Sequence, residues 1–195
     1  MILSDSAIQQ AIASGKIEIN PIPDKTRYTS SAVDLTLGPK FQGWNLEVIQ
    51  VKGVRIELNL AEQNYQSTAG AYLKPMDLQS DGSFIFPPYK LHPIVLLAQT
   101  REGIFLKRES EFAARVEGRS SLARIGLSVH LTAPTIHCGF SGPITLELIN
   151  YSPFYLRMVP GTVICQLIIE RVEGAPGEIN TAFQNQTDPS GINIK

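Results

Sequence analysis

The chain has 195 residues, 43% of them hydrophobic and 18% charged, with Lys+Arg 17 against Asp+Glu 18 and a net charge of −1. That length fits about one domain, and the balance is too apolar and too weakly charged for a disordered chain. Near-neutrality excludes the basic field of a general nucleic-acid binder, although a few local arginines suffice for a small anionic ligand. Two cysteines, Cys138 and Cys165, cannot build a disulfide framework and suggest a reducing compartment. No apolar run reaches the ~18 residues of a membrane span, and the opening MILSDSAIQQ lacks the basic and apolar regions of a signal peptide. The expectation is one cytoplasmic domain over residues 1–195, with no membrane or nucleic-acid partner.

Residues 4–15 predict a short helix. Ser4 or Asp5 can cap its free N–H groups, Ile8, Ala11 and Ile12 form one apolar face, and Gly15 supplies the stop. Strand signals dominate afterwards. Ile17 and Ile19 alternate with Lys16 and Glu18, and Val33, Leu35 and Leu37 alternate with Asp34 and Thr36 before Gly38-Pro39. Val54, Ile56, Leu58 and Leu60 predict a further strand. Residues 62–90 are polar and carry Pro75, Pro87 and Pro88, and read as a long excursion. Pro93–Thr100 and Gly103–Leu106 predict two strands around a turn at Arg101-Glu102-Gly103. Ile144–Ile149, Tyr155–Met158 and Val163–Arg171 complete the set, the last two separated by Pro160-Gly161. Residues 174–195 are polar and rich in Gly and Pro, which predicts a tail with little fixed structure of its own. Many short strands without a βαβ rhythm predict a mainly all-β, jelly-roll-like barrel with one short N-terminal helix.

Residues 115–150 carry the chemistry. Gly118-Arg119-Ser120-Ser121 places a glycine beside a guanidinium and two hydroxyls, and Arg124 adds a second guanidinium. Such donors suit a phosphate chain, but the spacing alone fits a turn with a surface arginine pair as well. In Ile144–Leu148 the apolar side chains share one face and Thr145 and Glu147 the other. A desolvated carboxylate there would have a raised pKa suited to proton transfer, whereas the same pattern also fits a glutamate on a wet strand face. His130, His137, Cys138 and Cys165 are conceivable zinc ligands. The H-x-E and P-C-x-x-C signatures of zinc nucleobase deaminases are absent, so no zinc is expected.

The blocks SAVDLTLGPKF (31–41), LHPIVLLAQTREGI (91–104), GRSSLARIGL, VHLTA, GFSGPITLELIN and VPGTVICQLI occur in that order. Together they resemble the dCTP deaminase branch of the dUTPase superfamily over most of the chain outside residues 43–90. The resemblance implies a distorted jelly-roll barrel in a homotrimer with active sites between subunits, turning dCTP and water into dUTP and ammonia without zinc. It implies Glu147 as general base, with Ser120 and Arg124 holding the water and the developing charge. It places Arg119 and Ser121 near the phosphates and Mg²⁺ mainly on the triphosphate. It has Thr132 and Ala133 reading the pyrimidine edge, and Phe140, Gln166 and Gln186 near the nucleotide. Inhibition by dTTP, known in the family, is a further expectation.

Two departures bear on the reaction. Where the family has a carboxylate before its second glycine-aromatic block, this chain has His137, followed by Cys138. That argues against triphosphate hydrolysis and hence against a dUMP-forming activity. In the tail, Ala182 and Phe183 stand where the family has Lys-Tyr, which implies weaker hold on the triphosphate. The rival readings are a dUTPase or bifunctional dUMP-forming enzyme, and a nucleotide-binding regulatory relative without catalysis.

Overall fold

The structure is a computed structural model and describes residues 1–51, 54–61, 65–177 and 183–191. Helix α1 (Asp5–Ala13) is capped as its sequence predicts, with Ser4 accepting from the Ala7 N–H at 3.3 Å. It buries Ile8 and Ala11, and Gly15, at φ 67°, ends the turn. The strands are β1 (Ile17–Asn20), β2 (Tyr28–Thr29), β3 (Ala32–Trp44), β4 (Leu73–Pro75), β5 (Phe84–Phe86), β6 (Leu96–Leu106), β7 (Phe112–Gly118), β8 (Leu127–Ser128), β9 (Thr135–Ile136), β10 (Ser141–Asn150), β11 (Leu156–Met158) and β12 (Val163–Arg171). Further α-helices among the described residues are α2 (Leu46–Ile49), α3 (Tyr65–Tyr72) and α4 (Ser120–Arg124).

Ten strands form one antiparallel sheet whose main path is β8-β10-β6-β3-β12-β7-β9, with β1 on β6 and β2 and β4 on β3; β5 and β11 pair separately. The mainly-β, barrel-like architecture of the sequence reading is the one observed. Alternation explains the core: Phe41, Ala98 and Leu146 lie in register across β3, β6 and β10 and are buried, as are Leu96 and Leu148 one row on. The opposite face carries Gln42, Leu97 and Glu147 in one row and Gln99 and Thr145 in the next. Removing each large apolar side chain from water contributes about 1.5–3 kcal/mol.

Between Leu37 and Phe41 the β3–β6 register shifts. Gly38 sits at that irregularity, where a Cβ would lie 2.9 Å from the Gln99 carbonyl oxygen. The strands can approach so closely there only without a side chain.

Three expectations change. The Arg101-Glu102-Gly103 stretch is no turn, because β6 runs straight through it. The Glu102 side chain, 5% exposed, accepts from the Thr36 N–H at 2.8 Å and the Thr36 hydroxyl at 2.7 Å. Thr100 Oγ1 in turn donates to the Glu102 carbonyl at 2.7 Å and accepts from the Ile144 N–H at 2.9 Å. These bonds knot β3, β6 and β10 where a turn would have separated them.

The alternating residues 54–60 pair with no strand among the described residues, and Val54, Leu58 and Leu60 are exposed. Alternation makes a strand only where a neighbour accepts the ladder. The described part of the tail is held in place: Asn185 donates its N–H to the Ser141 carbonyl at 2.7 Å and Thr145 its hydroxyl to the Pro189 carbonyl at 3.3 Å.

Candidate functional site

A cavity of about 560 Å³ opens on the face of β6 and β10 that carries Leu97, Thr145 and Glu147. The 130–137 segment forms a second side, and Phe183–Ser190 of the tail a third. Strand alternation puts Glu147 here, its neighbours Leu146 and Leu148 filling the core behind it. Burial pushes the Glu147 carboxyl above its ordinary value of 4.5, against the opposing pull of hydrogen bonds from the Leu131 and Glu147 backbone N–H groups and of nearby His130. A carboxylate so placed exchanges protons more readily near neutral pH than an exposed one.

His130 lines the same cavity, and its Nε2 lies 3.7 Å from Glu117 Oε2 on β7. Of the residues singled out in the sequence, Glu147, Ala133, Phe140 and Gln186 all line this cavity. Gln186 is buried and spends its amide on the Pro143 carbonyl at 2.7 Å, so it ties the tail to β10. His137 also lines the cavity, exposed at its rim. Thr132 does not line it, although its neighbour Ala133 does.

The other singled-out residues form a separate group that contributes nothing to this cavity. Arg119 precedes α4, and Ser120, Ser121 and Arg124 lie exposed on it. Arg119 pairs with Asp34 of β3 at 3.5 Å, and Gln166 of β12 donates its amide to the same carboxylate at 3.0 Å. Asp34 is only 7% exposed, so its charge holds Arg119 and Gln166 in place from below.

Sequence reasoning treated Asp34 as the polar partner in an alternating strand. Its signal was available: an acid inside AVDLTL parallels the acid inside ITLELI. Trp44, Tyr65, His130 and Phe183 were missed as cavity residues; Trp44 and Tyr65 lie in or beside the excursion that the family blocks skip. Ala182 lies outside the described residues. Cys138 is buried with its thiol directed at the Arg108 carbonyl, 3.1 Å away, and Cys165 is buried in β12. Among the described residues no three His, Cys, Asp or Glu side chains converge as a metal ion would require.

A family model described as dCTP deaminase-like matches residues 2–172. A dCTP deaminase of the dUMP-forming type from Methanobrevibacter smithii is 31% identical over 201 residues, covering 100% of this chain and 95% of its own. A dCTP deaminase from Tolumonas auensis is 36% identical over 178 residues, covering 90% of this chain and 86% of its own. Among solved structures, that of the 2'-deoxycytidine 5'-triphosphate deaminase from Agrobacterium tumefaciens superposes with a TM-score of 0.61 at 19% identity. It covers 86% of this chain, while this chain spans 46% of that one. At that identity the likeness concerns the fold.

Proposed function

The chain belongs to the dCTP deaminase-like family, and we propose that it hydrolyses dCTP to dUTP and ammonia with Glu147 as the general base. The observation that carries this reading is the partly buried carboxylate of Glu147, with its raised pKa, set in a cavity with aromatic walls. The ionised carboxylate takes a proton from water, and the hydroxide adds to C4 of the cytosine ring. The proton passes to N3 as the ring loses its aromaticity. The second hydroxyl proton then goes by way of Glu147 to the amino nitrogen, which leaves as ammonia, and the C4 carbonyl forms. Water and dCTP are consumed, dUTP and ammonia are produced, and Glu147 returns to its starting state. General base catalysis of this kind contributes roughly 10²–10⁴-fold.

Arg119, Ser120, Ser121, Arg124 and Gln166 are the proposed triphosphate and charge-stabilising half. They do not line the Glu147 cavity of their own chain, so a second copy must bring them to it. A homotrimer with sites between subunits meets that need. The donors in this half are cationic or neutral, and the carboxylate of Asp34 beside them is already engaged by Arg119 and Gln166. That set fits Mg²⁺ carried on the triphosphate and not caged by protein; when bound, the ion would neutralise phosphate charge. Among the described residues no helix is long and apolar enough to cross a membrane.

A second reading, deamination followed by loss of pyrophosphate to give dUMP, is favoured by relatives of that name matching the whole chain at 31–33% identity. His137 at the cavity rim, where the family pattern has a carboxylate, supports dUTP as the end product. Resolving dUTP, dUMP and pyrophosphate after incubation with dCTP and Mg²⁺ tests the choice. dUTP accumulating with ammonia is the expected result, and dUMP with pyrophosphate establishes the second reading.

A further inference from the structure

Among its described residues, the excursion over 62–90 lines the Glu147 cavity with one side chain, from α3. Ala69, 1% exposed, anchors that helix, and the Asn45 N–H donates to the Tyr72 carbonyl at 2.7 Å, tying its far end to the exit of β3. The helix therefore holds Tyr65, its first residue, against the cavity, where the ring lines the wall and remains 37% exposed. Burial raises the pKa of its phenol, and the negative charges of Glu147 and Asp188 raise it further.

Across the mouth stands Phe183, 41% exposed, with its ring centroid 5.6 Å from that of Tyr65 and the two planes at 65°. That is an ordinary edge-to-face aromatic pair. The tail delivers Phe183 to this place. Gln186 and Thr187 are bonded to Pro143 and Lys40, and Gly191 leaves room for the ring, since a Cβ there would lie 2.5 Å from Phe183 Cδ1.

Two half-exposed rings from segments 118 positions apart, meeting over a cavity that already contains a carboxylate, are poorly explained by core packing. A mouth with aromatic faces, above walls that include Leu97 and Phe140, suits a flat ring with a polar edge. It does not suit phosphates, which are charged and hydrated on every side.

We propose that Tyr65 is a substrate-contacting residue, its ring, held edge-to-face by Phe183, packing on one face of the pyrimidine while the base edge meets Glu147. The proposal rests on the pyrimidine-nucleotide reading of the site. It assigns the excursion, which lies outside the family blocks, a part in base affinity.

The test is calorimetric binding of dCTP and of inorganic tripolyphosphate, each with Mg²⁺, to the full-length Glu147→Gln protein, which prevents turnover. Tyr65→Leu and Tyr65→Phe are added to that background, and thermal melting checks folding. Tyr65→Leu is expected to weaken dCTP about tenfold, within the range for base stacking, and to leave tripolyphosphate within twofold. Tyr65→Phe, which keeps the ring, restores dCTP binding to within threefold of the parent. Unchanged dCTP affinity in Tyr65→Leu overturns the proposal, and so does an equal loss of both ligands, which would mark a structural role. Failure of the parent to bind dCTP overturns it together with the site reading. Ammonia release from dCTP by the unmodified protein is measured alongside. Its absence with dCTP binding intact would sink the deaminase reading and leave the role of Tyr65 standing.

Discussion

At the scale of single residues, Glu147 combines two properties that a solvent-facing strand carboxylate lacks: partial burial, which raises its pKa, and backbone hydrogen bonds with a histidine nearby that limit the rise. In the proposed mechanism the free base is the working form, so activity is expected to fall as pH drops through the Glu147 pKa. Because burial moves that pKa above 4.5 in the free protein, the acid limb of the kcat/KM profile is expected at higher pH than for an ordinary glutamate. An acid limb at or below the ordinary value, measured with ammonia release, would contradict the assignment. Glu147 and Asp34 were both readable as acids in otherwise apolar strands, but only the structure separates their tasks. Asp34 is satisfied by Arg119 and Gln166, whereas Glu147 faces a cavity. His130 and Tyr65 were not readable, because a residue's approach to Glu147 depends on how loops and a surface helix return to the sheet.

At the scale of elements, periodicity found β1, β10 and β12 because each alternates against a core that accepts it. The same rule predicted a strand at 54–60, where the described structure offers no partner, and a break in β6, where Glu102 reads as a turn residue. The alternation carries no information about a partner 66 positions away, and it is the Thr36–Glu102 pair that keeps β6 continuous.

That pair yields a stability prediction. Glu102→Ala leaves the buried Thr36 N–H and hydroxyl unpaired, at about 1–3 kcal/mol for each orphaned group. Thr36→Val keeps the backbone bond and takes one partner from the buried Glu102 carboxylate, and is expected to lose about 1.5–3 kcal/mol, less than Glu102→Ala with its two orphaned groups. Urea denaturation at fixed protein concentration checks the order, and a Thr36→Val loss equal to that of Glu102→Ala would contradict it. The tail shows a similar limit of sequence reading. Its polar, Gly/Pro-rich composition suggests a free end, yet the Asn185 N–H and the Pro189 carbonyl find partners on β10 and the Thr187 carbonyl one on β3. Composition does not reveal where a segment's hydrogen bonds go.

At the scale of the whole molecule, the proposed function divides the site into two halves that one chain does not bring together. The Glu147 cavity offers a base and aromatic walls but no arginine, and the group around α4 offers guanidinium and hydroxyl donors but no cavity of comparable size. The barrel fold and the order of motifs were readable from alternation and from family blocks. The division was not, because residues close together in the segment 115–150 diverge once β7 and β10 take different places in the sheet.

Sites shared between copies predict complementation. Glu147→Gln and Arg124→Ala proteins, each with little activity, are to be mixed under conditions that exchange subunits. With random exchange, about a quarter of the sites pair an intact Glu147 with an intact Arg124, so roughly a quarter of wild-type activity is expected. No recovery after verified exchange would mean that each chain completes its own site.

The most direct measurement follows dCTP in the presence of Mg²⁺ with the wild-type and Glu147→Gln proteins, reading ammonia and separating dUTP from dUMP. The account predicts dUTP and ammonia in equal amounts from the wild type. It predicts a loss of roughly 10²–10⁴-fold in kcat in the variant, with dCTP still bound. A Glu147→Gln protein that deaminates dCTP at the wild-type rate would contradict the account at its centre.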